Sequence, residues 1–265
     1  MKELLAVLQN STIYDLSQTY FPGMAHFPTH PPFLYGLTRE HGDFVGPEGH
    51  SSSADALAMS GHAGTHIDAL CHFSRRGRLH GDQPVVQAPA SGHEHYGAHT
   101  IPPILRHGVM LDIAGIEKTE VLPGDFEVGP AHLDRAAQGL VIGPGDVALI
   151  RTGWATYWPR PADFVAQGHA PGPSMAGARW LSERGVFAAG SDTLAFEKIP
   201  SETMPVHVHL LVESGIHIIE CLNLEELAAS AVREFVFVAA PLKIRGATGA
   251  PMRPLAVVPA EAENR

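Results

Sequence analysis

Hydrophobic residues in this chain come in short runs set between turn signals. From residue 109 onward, "VMLDIAG", "DVALIRTG", "VFAAGSD", "IHIIECL" and "EFVFVAAPL" read as strands. Interleaved with them, "PAHLDRAAQGL", "PSMAGARWLSERG", "PVHVHLLVESG" and "NLEELAAS" read as helices. The second of these opens on Pro173–Ser174 and stops at Gly185, a good start signal and a good stop. Such alternation predicts an α/β fold. Upstream, "TIYDLS" and "SADALAMSG" are strand-like runs in a segment otherwise rich in loops. No repeat period appears, no low-complexity tract beyond short Pro/Gly loops such as Gly46–Ser53, and no linker. The expectation is one domain over residues 1–265 with a compound sheet.

Composition narrows the function. At 45% hydrophobic and 17% charged residues, the chain has the make-up of an ordinary globular protein. Its 18 basic against 28 acidic residues give a formal charge of −10, and no basic run is longer than Arg75–Arg76. Nucleic acid is therefore not an expected partner. The two cysteines, Cys71 and Cys221, form neither a disulfide framework nor a paired zinc motif. The apolar run at the N-terminus, "LLAVL", is too short for a signal peptide or a membrane span, so no membrane partner is expected and the cytoplasm is the expected location.

Polar chemistry breaks the pattern in one place. The stretch "SGHAGTHIDALCHF" (Ser60–Phe73) holds His62, His66, Asp68 and His72, side chains that are costly to bury unpaired. All four numbers are even, so in extended chain their side chains share one face. A straight strand from His62 to His72 would span roughly 33 Å, too far for one ion. The chain must bend, and Gly61 and Gly64 can supply the bend. Imidazoles with a carboxylate suit a divalent first-row metal, Zn²⁺ or Mn²⁺. Thr65 reads either as a hydrogen-bond partner of a ligand or substrate, or as a plain strand former. Cys71, odd-numbered, faces away and reads as core filler. No Gly-x-Ser-x-Gly elbow, Gly-x-Gly-x-x-Gly turn or Walker loop occurs, so neither a serine hydrolase nor a nucleotide cofactor is indicated.

"HAGTHIDALCHF" resembles the His-x-Gly-Thr-His-x-Asp-x-Pro-x-His signature of the cyclase family of metal-dependent hydrolases, which includes bacterial kynurenine formamidase and isatin hydrolase. The resemblance runs on through "YDLSQTYFPGM", "VMLDIAG", "GDVALIRTGW", "AAGSDTLAFE", "HLLVESGIHIIECLNLEELA" and "PLKIRGATGAPMRPLAVV". Two departures stand out. Leu70 occupies the place of the signature's Pro, and Ala195–Phe196 lies where formamidase-like members carry a Ser.

The resemblance implies a single swivelling β/β/α domain of the cyclase-family type, in homodimers or homotetramers. It also implies a metal site completed by a His on a helix and a Glu on the following strand. Glu220 in "IHIIE" fits the Glu, and His207 is preferred to His209 for the His. The implied activity is arylformamidase-like: a metal-activated water cleaves a small aryl formamide, amide or lactam, such as N-formylkynurenine. One or two ions (Zn²⁺ or Mn²⁺) would be held, one by His62, His66 and Asp68, and a second by His72, His207 and Glu220. The general base would be His72 or Glu220, and a two-metal site with His72 as a ligand is slightly preferred. Tyr20, Phe21, Phe27 and Phe33 are candidates for a wall around a planar substrate.

Two other classes compete with this one. One is a metal-binding protein without catalysis. The other is a cupin-like oxygenase, because "HVHLLVE" places His207, His209 and Glu213 in a His-x-His-x-x-x-Glu pattern. The helical reading of that stretch, from Pro205 to Gly215, speaks against the second and leaves Glu213 facing solvent.

Overall fold

The apolar runs between residues 104 and 220 pair side by side and parallel: Ile104–Asp112, Val147–Arg151, Ala188–Ser191 and His217–Glu220. This is a computed structural model, and it describes residues 2–165 and 168–260. Parallel neighbours need long crossovers, and the helices supply them. Pro130–Ala136, Met175–Glu183 and the helical segment Pro205–Ser214 lie between successive strands. Antiparallel strands extend the sheet on both sides to nine. On one side lie Glu234–Ala239, Leu255–Val258 and Thr12–Asp15, and on the other His66–Asp68 and Gly249–Pro251.

Both faces of the middle strands are covered, which is why their sequence is apolar almost residue by residue. Val109, Leu111, Ala148, Ile150, Ala189 and Ile218 pack with Leu133, Leu181 and Leu211 of the helices. Their strand neighbours Met110, Val147, Leu149, Ala188 and Ile219 turn the other way, into a core shared with Phe237 and with Leu227 of the Glu225–Ala229 helix. A fully buried aliphatic side chain is worth roughly 1.5–3 kcal/mol, so polar residues on either face would be selected against.

Helix boundaries follow the local signals. Ser174 caps the Met175–Glu183 helix, its Oγ accepting from the Gly177 N–H at 3.1 Å, and Gly185 turns the chain away at φ +66°. Pro205 starts the third crossover as an α-turn over Pro205–His207, and Gly215 ends it at φ +69°. Between them, Val208–Ser214 widens into a π-helix.

Two elements differ from expectation. Only Ala54–Ala58 of "SADALAMSG" is a strand, and it pairs with Leu34–Arg39 in a hairpin apart from the main sheet. Among the described residues nothing buries this hairpin, and Leu34, Leu37 and Leu57 are exposed. The N-terminal apolar run lies in a short helix, Lys2–Gln9. Among the described residues no helix is long and apolar enough to cross a membrane.

Candidate metal centre

In open α/β sheets the carboxyl ends of parallel strands form the usual crevice for a ligand. Glu220 ends its strand there, in register with His66 on the antiparallel neighbour. His66 and Asp68 sit two residues apart on that neighbour, so they share a face, and both are buried. The sheet thus brings the first third of the chain against the last.

The bends lie outside the His66–Asp68 strand. Gly64 turns the chain at φ +54°, and an added Cβ would come within 2.5 Å of the Tyr20 ring. Gly61 contributes closeness rather than a positive φ, since a Cβ there would lie 2.7 Å from the Gly249 carbonyl oxygen. The Tyr20 hydroxyl donates toward the carbonyls of Ala63 and Thr65, at 2.7 and 2.8 Å. The Thr65 hydroxyl bonds no metal-donor side chain among the described residues and Thr65 does not line the cavity. Its Oγ1 donates to the Cys221 carbonyl at 2.6 Å and accepts the Gln18 N–H at 2.8 Å, tying the motif to the strand of Glu220. Beyond the strand, the His72 N–H donates to Ala69 O at 2.8 Å, closing the turn without the signature's Pro, while Leu70 is buried in the helix-side core.

These turns aim nitrogens and carboxylates at one another. His62 Nδ1 lies 2.8 Å from Asp68 Oδ1. His66 Nε2 is 3.4 Å from the same oxygen and 3.3 Å from Glu220 Oε2. His207 Nε2 is 3.1 Å from Glu220 Oε1 and 4.0 Å from Asp68 Oδ2. Yet both Asp68 oxygens and His66 Nε2 are buried with no hydrogen-bond partner. Buried polar atoms normally find hydrogen-bond partners; these meet one another only as ion pairs. That is the geometry of donors arranged around a cation.

Two groups of donor atoms, each within 4.8 Å, could hold an ion: His62, Asp68 and His72, and His66, Asp68 and Glu220. Asp68 belongs to both. The division therefore differs from that expected by chain order, because register places His66 beside Glu220 and the turns swing His62 and His72 together, ring centroids 4.1 Å apart. The donor set, imidazole with carboxylate, fits a divalent first-row metal.

Charge balance supports the fit. Burial would lower the pKa of His66, but the carboxylates of Asp68 and Glu220 outweigh it and push it up to about 10. His207 is likewise raised to about 10, against burial, by Glu197 and Glu220. Burial works against ionised Glu220, but His207 and His66 hold it down at about 2. A dication must replace the protons on His66 and His207. Metal affinity should therefore rise with pH across the neutral range until about 10, with proton release on binding. Calorimetric titration of the metal-free protein in buffers of different ionisation enthalpy measures that release. For the metal-free fold the sign is opposite. Both folded values lie above the ordinary 6.5, so this stabilisation is full below 6.5 and fades as pH approaches 10.

Outer partners hold the donors. His62 Nε2 pairs with Thr248 Oγ1 at 2.9 Å, which turns Nδ1 toward Asp68. His66 Nδ1–H donates to Gly64 O at 2.8 Å, freeing Nε2. His217 Nδ1–H donates to the Asp68 carbonyl at 2.8 Å. Glu197 accepts from His207 Nδ1–H at 2.8 Å, from the His207 N–H at 3.1 Å and from the Ser201 hydroxyl at 2.9 Å. Glu197 and His217 were not read from the sequence. The available signal was an acid closing the apolar run "TLAF", since a buried carboxylate needs a purpose. Glu197→Gln should keep the fold and weaken metal binding about 10–100-fold, the usual cost of losing a ligand's outer partner. Competition with a chromogenic chelator reads this directly.

A cavity of about 200 Å³ opens onto the donors. Phe27, Phe73, Leu194, Ala195 and Met204 form its apolar walls, and His30 and His72 its polar rim. Of the four aromatic candidates only Phe27 lines it. Tyr20 and Phe33 pack against each other, and Phe21 packs on Trp158. His209 is outside: its Nδ1 meets Glu213 Oε2 at 2.9 Å and its Nε2 meets Ser182 Oγ at the same distance. The cupin-like reading is thus overturned, because His207 and His209 point to different sides of a helical segment. Cys71 fills the core as expected.

Comparison with known proteins gives a consistent picture. Residues 14–198 match the sequence profile of the family Cyclase, described as "Putative cyclase". A kynurenine formamidase of Bacillus thuringiensis (strain Al Hakam) is 26% identical over 251 residues, covering 93% of this chain and 97% of its own. A solved structure described as a novel cyclase superposes with a TM-score of 0.86 at 25% identity, over 97% of this chain and 90% of that one. Isatin hydrolase A from Labrenzia aggregata, bound to benzyl benzoate, superposes with a TM-score of 0.76 at 26% identity, over 97% and 98%. The profile match ends before His207 and Glu220; both whole-chain structural superpositions cover 97% of this chain.

Proposed function

The chain belongs to the cyclase family, and from that premise we propose that it is a metal-dependent amidohydrolase of arylformamidase or isatin-hydrolase type. It cleaves the C–N bond of a small aryl formamide, amide or lactam with a metal-activated water. The observation that carries the reading is the set of unpartnered buried atoms on Asp68 and His66, beside an apolar-walled cavity that His62, His66, His72, His207 and Glu220 line. A protein that only stored metal would have no need of that cavity.

His62, His66, Asp68, His207 and Glu220 would hold the ion, Zn²⁺ or Mn²⁺. Bound there, a divalent cation supplies Lewis acidity and an acidified water. The residues do the rest. Glu220 is ionised and fixed in place, its Oε1 accepting the Phe196 N–H at 2.7 Å and lying 3.1 Å from His207 Nε2, its Oε2 3.3 Å from His66 Nε2, so it is a ligand rather than a proton shuttle. His72 is the base. Burial lowers its pKa to about 4, so it is neutral at pH 7. It lines the cavity, and its ring nitrogens have no hydrogen-bond partner among the described residues. It takes the water's proton and returns it to the departing nitrogen. Phe27 and Phe73 cover the faces of a planar substrate and exclude water.

We further read residues 1–265 as one domain, acting in the cytoplasm as a homodimer or homotetramer. The test of function is turnover by the metal-loaded protein of formylated anilines and isatin-like lactams. No turnover of any amide, ester or lactam at full metal occupancy would leave the metal-binding reading standing instead.

A further inference from the structure

The loop after the Thr12–Asp15 strand carries His30 into the same cavity. A turn fixes it there: the His30 N–H donates to Phe27 O at 2.8 Å. Pro31 and Pro32 then restrict the exit of the chain. The His30 ring lies 5.0 Å from His62, 6.4 Å from His72 and 5.5 Å from Phe27, centroid to centroid. Its Nδ1 is buried and has no hydrogen-bond partner. His30 belongs to neither group of atoms that could hold an ion, so the metal does not account for that nitrogen.

The rest of the lining limits what can. Apart from Thr29 and the metal-site side chains, the cavity offers only apolar walls. No Lys or Arg lines it among the described residues, so away from the metal a substrate carboxylate would meet no charged side chain to pair with. A neutral acceptor placed beside the scissile group is the complement of His30. We propose that His30 is a specificity-determining residue for the hydrolase reaction, its ring N–H donating to a second carbonyl oxygen on an uncharged substrate, adjacent to the carbonyl under attack. This rests on the hydrolase reading above. A substrate lacking that oxygen leaves the imidazole unpaired, and sites built around a polar group discriminate most strongly through such a loss.

The test separates binding from turnover. In the metal-loaded His72→Ala protein, isatin and oxindole are titrated and binding is followed by tryptophan fluorescence; oxindole lacks the second carbonyl. Isatin should bind about tenfold tighter, the worth of one hydrogen bond of about 1–1.5 kcal/mol. Adding His30→Phe, which keeps a flat ring, should abolish the preference and leave oxindole affinity and metal content unchanged. His30→Gln, which restores an N–H donor, should recover part of it. No preference in the parent protein, a preference that survives His30→Phe, or metal loss in that variant would each overturn the proposal. Failure of the hydrolase reading shows separately, as absent turnover by the unaltered enzyme.

Discussion

Asp68→Ala is expected to leave a folded chain without bound metal and with turnover reduced by more than about a thousandfold. Asp68 is the one side chain shared by both groups of candidate donors. It is fully buried, and no neighbouring carboxylate can swing into its place, because Glu220 is held by Phe196 and His207 and Glu197 by His207 and Ser201. The surrounding imidazoles keep Asp68 ionised well below the usual carboxylate range despite burial. Its removal therefore deletes charge as well as ligand atoms. Elemental analysis gives the primary readout, with circular dichroism as the check on folding. Asp68→Asn is the companion variant: it keeps the shape and one acceptor oxygen, removes the charge, and should retain only weak metal binding. Normal metal content in both would end the ligand assignment.

Much of this centre was legible in the sequence, for reasons that differ by residue. His66 and Asp68 obeyed strand alternation because they do lie on a strand. His62 and His72 also reached the site, but through turns whose geometry depends on Tyr20, Gly249 and Ala69, contacts no spacing rule contains. Glu220 and His207 were placed only by resemblance. Their meeting with His66 depends on an antiparallel register between segments about 150 residues apart. Glu197, His217 and His30 escaped altogether. A residue that orients a ligand, or waits for a substrate, needs no fixed spacing from the motif it serves. The fold shows the same contrast. Helix ends at Ser174, Gly185, Pro205 and Gly215 were fixed by local chemistry. The uncovered hairpin was not foreseen, since "ADALA" and "LYGLTR" are poor in β-branched residues and only tertiary context pairs them, outside the main sheet. Likewise the π-helix after His207 carries no marker in "VHLLVES".

His72 decides how the chemistry runs, and His72→Ala should separate two readings of it. By geometry it is a candidate ligand with His62 and Asp68. By environment it is a base. Its side chain faces the cavity, makes no hydrogen bond among the described residues, and is kept neutral by burial, with a pKa lowered to about 4. Ionised Asp68 opposes that lowering, while His62 and His207 reinforce it. Asp68 and Glu220 together carry two negative charges, enough to balance one dication, whereas a second would stand largely uncompensated in a buried site. One ion per chain is therefore expected, in place of the two that the sequence resemblance favours. His72→Ala should keep the metal content of the unaltered protein and lower kcat about 10²–10⁴-fold, the usual worth of a general base. Added imidazole should restore part of the rate, since the side chain removed leaves room beside Phe73 and His62. A fall from two ions per chain to one, without rescue by imidazole, would make His72 a ligand of a second metal, bridged to the first through Asp68.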